Sequence, residues 1–221
     1  MWAALRGGRR RLTGVNSVNG HTHMIGGLLS ALALGPVVGH GGPHLLAFAA
    51  VAALAAPLPD VDHPGSMYGR FVPLPGIAKV YGSIEPYRAG PFGNGRKSFG
   101  HVGRRLPGGI LWHRGPTHSL VMAGVFGGLA YLVAGHFTPG LAWIVGLGVL
   151  LGCLSHLALD ELNVAGEHLL WPLVGKELRL RWPSFRVGSV WETALFVAMA
   201  GGAFLLLRGE VGVLGPHLFA R

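Results

Sequence analysis

Two of the three aspartates in the chain lie beside a histidine, at the end of an apolar stretch. Asp60, Asp62 and His63 follow Pro59, which predicts that the preceding helix ends there and that the chain turns. Carboxylates next to hydrocarbon are costly unless a partner compensates their charge, and a metal ion suits this mixture of oxygen and nitrogen donors. The alternative is a capping turn with solvated carboxylates, which is disfavoured because no other aspartate precedes Asp160.

A second group combines a histidine and an aspartate on one helix. His156 and Asp160 are four residues apart, so both side chains lie on the same helix face and can bind one ion or bridge two. The alternative is a His–Asp hydrogen bond that stabilises a helix bundle. His23 belongs to a His-x-His sequence at the start of an apolar segment, and it carries the least information by itself.

A third group flanks a Gly-Pro turn with two histidines. Thr117 has the character of a helix N-cap, which predicts that His118 begins the helix, and His113 lies on the other side of the turn. A helix N-terminus beside Arg114 favours an anion such as a phosphate oxygen. The alternative interpretation is a basic membrane anchor with an incidental histidine.

Composition predicts the class of protein that holds these residues. Half of the 221 residues are hydrophobic, 12% are charged and the mean hydropathy is +0.47, whereas soluble domains carry about 25% charged residues. We therefore predict an all-α, polytopic membrane protein with about five transmembrane helices. The apolar segments are 24–38, 44–57, 118–135, 140–159 and 190–207. The first two are short for a bilayer core, so they either extend through their flanks or form a tight hairpin.

The remaining residues divide into a basic leader, 1–20, and a single membrane domain, 21–221, with long polar loops at 64–112 and 161–189. The leader, the two loops and the adjoining Arg114 hold 16 of the 18 Lys and Arg residues, which predicts that this side of an inner membrane is cytoplasmic. The net charge of +9 is thereby explained without nucleic acid. The N-terminus and all the groups described above then lie on the cytoplasmic side.

Eight residues are candidate metal ligands, and all are nitrogen or oxygen donors. The single cysteine lies inside an apolar segment, which excludes a disulfide framework and a thiolate site. One zinc ion takes three or four protein ligands, so eight fit two ions, of Zn or alternatively Mn or Fe. Two such ions activate a water and hold the oxygens of a phosphoryl or acyl centre. The candidates are His23, Asp60, Asp62, His63, His113, His118, His156 and Asp160.

The order of these motifs resembles that of the membrane-bound metal-dependent hydrolases (YdjM-like), over about residues 20–175. The resemblance implies an inner-membrane protein with a metal site at those positions. A fainter similarity to the helical zinc-dependent phospholipase C group, which shares a Thr-His start, a Pro-Asp and a His-x-x-x-Asp helix, implies phosphoester substrates. The motifs are Thr22-His23, Leu58-Pro59-Asp60-Val61-Asp62-His63, His113-Arg114-Gly115-Pro116-Thr117-His118-Ser119, Ser155-His156-Leu157-Ala158-Leu159-Asp160 and Leu169-Leu170-Trp171-Pro172.

The expected function is a membrane-embedded hydrolase that cleaves a phosphoester or ester of a lipid-like substrate. Arg114 would bind the substrate anion, and Asp160 would serve both catalysis and metal binding. Two alternatives use the same side chains: a His/Asp-based transporter and a non-catalytic metal-binding membrane protein. A transporter predicts ionisable groups along the bilayer depth, whereas here they gather at one end. The absence of His-Glu-x-x-His disfavours an intramembrane metalloprotease.

Overall fold

The computed structural model describes residues 20–39, 41–62, 66–71, 116–162, 169–173 and 189–218. Within these ranges the chain forms α-helices joined by short 3₁₀ turns and contains no strand. A helix satisfies every backbone hydrogen bond inside its own segment, which is the condition for crossing lipid. The predicted all-α class is therefore confirmed. The helices are α1 (Gly20–Leu34), α2 (Gly42–Ala55), α3 (Leu120–Phe137), α4 (Ala142–Glu161) and α5 (Val190–Leu218).

Four stretches of the described chain are long and apolar enough to cross a membrane. They are Gly42–Asp62, Leu120–Phe137, Pro139–Glu161 and Val190–Gly209. The first helix has 15 residues, which at 1.5 Å per residue span about 22 Å of a bilayer core of about 30 Å. The five predicted helices are thus present. The described part of α1 is not among the four spans, and α2 reaches the required length only together with the 3₁₀ turn that follows it.

Two helical hairpins bring candidate metal ligands to one end of the bundle. The chain leaves α1 through a turn at 35–39, in which Gly39 has φ +83°, and returns as α2. Thr138 and the turn Pro139–Leu141 join α3 to α4 in the same way. Because each hairpin reverses the chain, the start of its first helix lies beside the end of its second.

The centre of the bundle is held by close contacts between small residues. A Cβ atom added at Gly27 of α1 would lie 2.6 Å from the carbonyl oxygen of Ala52 in α2, and one at Gly152 of α4 would collide with the same oxygen. Small residues of this kind let membrane helices approach closely. The middle of α2 is therefore packed between α1 and α4.

The outer helices present apolar side chains to their surroundings. Leu132 of α3 and Phe204 of α5 are 65% and 63% exposed, as expected for surfaces that face lipid. Helix α5 packs mainly on α1, where Gly202 lies against Leu29. The predicted leader and most of both predicted loops lie outside the described residues, so the domain boundaries stay predictions.

Candidate metal centre

Five of the candidate ligands meet in a buried cluster at one end of the bundle. His23 lies in the first turn of α1, and Asp60 lies in the 3₁₀ turn Leu58–Asp62 that follows α2. His118 ends the turn that precedes α3, whereas His156 and Asp160 lie in the last two turns of α4. The three histidines and Asp160 are fully buried, and Asp60 is 5% exposed.

Four ligand atoms lie close together between these helix ends. The Nε2 atoms of His118 and His156 are 3.3 Å apart. Asp60 Oδ1 lies 3.2 Å from the first of these nitrogens and 3.8 Å from the second. Asp160 Oδ2 lies 4.0 Å and 3.7 Å from the same two atoms. Both carboxylates therefore flank one pair of imidazole nitrogens.

The other oxygen of Asp160 faces a different histidine. Asp160 Oδ1 lies 3.4 Å from Nε2 of His23, and the ring of His23 stacks on that of His156 at a centroid distance of 3.7 Å. Among the described residues, two groups can hold a metal ion: His23, His156 and Asp160, and Asp60, His118 and His156. The carboxylate of Asp160 is thus oriented to serve two neighbouring positions.

The hydroxyl of Thr117 fixes the protonation pattern of His118. Thr117 Oγ1 donates to Asp62 Oδ2 at 2.9 Å and lies 3.1 Å from Nδ1 of His118. A hydroxyl has one proton, and Thr117 uses it to donate to the carboxylate. The hydroxyl oxygen can therefore only accept in the second contact, and His118 Nδ1 must be the donor. The neutral form of His118 then carries its lone pair on Nε2, which faces the cluster and is the atom that a metal needs.

Charge around His118 also favours a cation at this position. Burial lowers the pKa of His118, but the hydrogen bond to Asp60 and the negative charges of Asp60, Asp62 and Asp160 outweigh burial, and the net pKa is raised. The carboxylates therefore stabilise positive charge beside them, either a proton or a metal ion.

Local structure at the start of α3 differs from the sequence expectation. Ser119, not Thr117, is the N-cap: its hydroxyl accepts from the amide of Met122 at 3.2 Å and donates to the carbonyl of Pro116 at 2.7 Å. The prediction of Thr117 as the cap is wrong because Pro116–His118 forms a separate 3₁₀ turn. That turn directs Thr117 towards Asp62.

The remaining predicted residues fall into two classes. Asp62 is 2% exposed and contacts Thr117, but its atoms belong to neither metal-binding group within the described chain, so its role as a ligand stays a prediction. His63, His113 and Arg114 lie outside the described residues, and their predicted roles are likewise untested.

The structure reveals buried polar residues that the sequence motifs do not include. Glu192 in the first turn of α5 is 6% exposed, and its Oε1 accepts from the hydroxyl of Thr22 at 3.4 Å. Glu161, which follows Asp160, is 5% exposed. Glu192 is the only acidic residue of the apolar segment 190–207, and an acidic residue in such a segment is a signal that could have identified it.

The donor set fits a divalent metal ion. A tetrahedral ion with bonds of 2.0–2.1 Å separates its ligand atoms by about 3.3 Å. Four of the five distances around His118 and His156 are 3.2–3.8 Å, and the fifth, from Asp160 to His118, is 4.0 Å. Buried carboxylates in an apolar bundle also require compensating positive charge. These buried His and Asp groups can therefore hold a metal ion, with imidazole and carboxylate donors suited to Zn, Mn or Fe.

Comparison with known proteins identifies a family but no matching solved structure. The model of the YdjM inner membrane protein family matches residues 18–219. Uncharacterized protein YvsG of Bacillus subtilis (strain 168) is 28% identical over 183 residues, which are 82% of this chain and 89% of YvsG. Inner membrane protein YdjM of Escherichia coli (strain K12) is 32% identical over 126 residues, 55% of this chain but only 47% of that protein. No solved structure matches.

Proposed function

Since this chain belongs to the YdjM inner membrane protein family, we propose that its buried cluster is the metal centre of a membrane-embedded hydrolase. The observation that carries the proposal is the spacing of the ligand atoms of Asp60, His118 and His156, which lie 3.2–3.8 Å apart, close to the separation of ligand atoms around a divalent ion. The substrate class that we propose is a phosphoester or ester of a lipid-like molecule.

The ligand assignment follows from the two carboxylate oxygens of Asp160, which lie beside different histidines. His118, His156, Asp60 and one oxygen of Asp160 would hold the first ion. His23 and the other oxygen of Asp160 would contribute to a second, whose remaining ligands would come from the predicted residues His63 and His113. In this assignment Asp62 keeps His118 oriented through Thr117.

The chain's own residues supply orientation, charge and a dry environment. A divalent ion polarises a phosphoryl or carbonyl oxygen and lowers the pKa of water, which is the chemistry it would add here. Asp60 and Asp160 keep the imidazoles fixed, and the apolar bundle around them excludes bulk solvent, which strengthens electrostatic interactions. Arg114 would bind the anionic group of the substrate.

Position in the membrane supports the substrate class. The cluster lies at one end of helices long enough to cross a bilayer, a depth at which headgroup phosphates and esters are found. The distribution of Lys and Arg favours the cytoplasmic side for this end. Our preference for phosphoesters rests on the motifs Thr-His, Pro-Asp and His-x-x-x-Asp, which resemble those of the helical zinc-dependent phospholipase C group.

The test is metal content and turnover of one purified protein. We expect about two ions per chain in detergent-purified protein, by analogy with two-metal hydrolases, and hydrolysis in a screen of phospholipids, phosphate esters and carboxylic esters. Asp160→Asn keeps the side-chain volume but removes the charge, and it should lose both metal and activity. His136→Asn is the matched control because His136 is exposed at the other end of α3 and should change neither.

Two outcomes would contradict the proposal. Protein without bound metal would refute the metal centre. Metal that is lost in Asp160→Asn, without turnover of any substrate by the unsubstituted protein, would refute the hydrolase and support a non-catalytic metal-binding membrane protein.

A further inference from the structure

Helix α5 contributes one buried carboxylate at an otherwise exposed end. Val190 and Trp191 are 83% and 74% exposed, but the next residue, Glu192, is 6% exposed and lies against α1. Burial of a carboxylate is costly, so its position is not explained by the apolar packing of α5. The metal centre described above contains no residue from this helix.

The contact of Glu192 repeats an arrangement found elsewhere in the site. Thr22 precedes His23 and donates its hydroxyl to Glu192. Thr117 precedes His118 and donates its hydroxyl to Asp62. In both Thr-His pairs the threonine is bound to a buried carboxylate from another helix or turn, and the histidine faces the metal centre.

We propose that Glu192 is a positioning residue of the metal centre. Through Thr22 it fixes the first turn of α1, and thereby keeps His23 stacked on His156 with Nε2 towards Asp160. Groups that orient metal ligands typically contribute 10–100-fold to metal affinity. The inference rests on the proposed metal centre, and it adds a fifth helix to that centre.

A simpler role for Glu192 has to be separated from this one. Ser189 and Glu192 have the spacing of a capping box, and the hydroxyl of Ser189 accepts from the amide of Glu192 at 3.4 Å. Glutamine retains a side-chain oxygen that can accept from Thr22, so Glu192→Gln is the conservative variant, whereas Glu192→Met keeps the side-chain length and removes the acceptor. Ser189→Ala removes the cap and leaves the carboxylate in place.

The experiment is a titration of the full-length, metal-free protein with Co²⁺, followed by visible absorption, which reports both affinity and coordination geometry. We expect Glu192→Met to weaken Co²⁺ binding at least about tenfold and to alter the spectrum, and Glu192→Gln, which keeps the acceptor, to retain most of the affinity. Thr22→Val, which keeps the branched shape without the hydroxyl, should have the same effect as Glu192→Met. Since both of these variants remove the hydrogen bond between Thr22 and Glu192, the double variant of Thr22→Val and Glu192→Met should be no weaker than either single variant. Ser189→Ala should bind as the unsubstituted protein does.

Each other result contradicts a specific part of the inference. Unchanged affinity in Glu192→Met, or independent losses that multiply in the double variant, would overturn the positioning role. Equal losses in Ser189→Ala and Glu192→Met would assign the effect to helix capping. Failure of the unsubstituted protein to bind Co²⁺ would instead refute the metal centre itself, so failure of the inference and failure of the proposed function are distinguishable.

Discussion

At the scale of single residues, the site depends on where individual protons lie. The hydroxyl of Thr117 donates its hydrogen bond to Asp62, and this determines which nitrogen of His118 would be available to a metal ion. Loss of this hydroxyl would therefore affect metal binding through His118, although Thr117 is not itself among the candidate ligands.

Thr117→Val tests this dependence. The variant removes both contacts of the hydroxyl, so His118 loses its fixed orientation and we expect metal affinity to fall about 10–100-fold. The measurement is competition for Zn²⁺ with a chelator of known affinity. Thr138→Val is the matched control, because that hydroxyl donates to the Ala134 carbonyl at the other end of α3. Equal affinities of the two variants would contradict the role of Thr117.

Acidification should weaken metal binding at His118. Protons and metal compete for the same nitrogen, and because the neighbouring carboxylates raise the pKa of His118, this competition begins at a higher pH than for an ordinary histidine. Between about pH 8 and pH 6 we expect affinity to fall, by up to about tenfold per pH unit. Zn²⁺ titrations across this range measure it, and an affinity independent of pH would refute the explanation.

The sequence identified the metal-binding candidates better than the residues that support them. His156 and Asp160 are four residues apart, a spacing that places both side chains on one face of any α-helix. The contacts of Thr117 with Asp62 and of Thr22 with Glu192 join residues 55 and 170 positions apart. Local patterns carry no information about such contacts, which is why they misassign Thr117 as a cap.

At the scale of helices, the close approach of three backbones brings the ligands together. Gly27 is four residues after His23 on α1, and Gly152 is four residues before His156 on α4, so each glycine shares a helix face with a histidine. Both glycines face the same carbonyl, that of Ala52 in α2. The spacing of the helices at Ala52 therefore controls the distance between the histidines one turn away.

Gly152→Ala should push α4 and α2 apart where Gly152 contacts Ala52. The added methyl group meets a backbone oxygen, which cannot move as a side chain can, so α2 must shift away from α4. We expect a loss of about 1–3 kcal/mol in stability, together with weaker metal binding as Asp60 moves from His156. Thermal unfolding in detergent and metal titration measure the two effects.

Gly128→Ala is the control for this substitution. A Cβ atom at Gly128 of α3 has no neighbour within 4 Å among the described residues, so the variant should be as stable as the unsubstituted protein or slightly more so. Indistinguishable behaviour of Gly152→Ala and Gly128→Ala would contradict the role of close packing.

Hydropathy predicted the helices but not all of their limits. The segment expected at 24–38 begins at Gly20 in the structure, because the polar residues from His21 to His23 continue the helix that hydropathy assigns only to apolar residues. The segment expected at 190–207 extends to Leu218, because Arg208 and the residues after it continue the helix. A criterion that searches for apolar segments does not detect polar residues of a helix that face a buried site, such as His23.

At the scale of the whole molecule, orientation in the membrane decides which compartment the site serves. The proposed cytoplasmic orientation predicts different labelling of the two ends. In a Cys153→Ser background, Val37→Cys, in the turn between α1 and α2, should react with an impermeant maleimide added to spheroplasts, because Val37 is 80% exposed. Phe71→Cys, beyond the turn that carries Asp60, is 72% exposed and should react only after the membrane is opened. The reverse pattern would contradict the orientation.

Burial of the ligands has a kinetic consequence. His23, His118, His156 and Asp160 expose no surface, so a chelator, like a substrate, would reach an ion held between them only when the packed helix ends separate. Release of the ion requires the bundle to open, and the rate of opening depends on the protein and not on the chelator concentration. The rate at which EDTA strips the metal should therefore become constant above a low chelator concentration, whereas an ion at an open site would leave faster with every further addition.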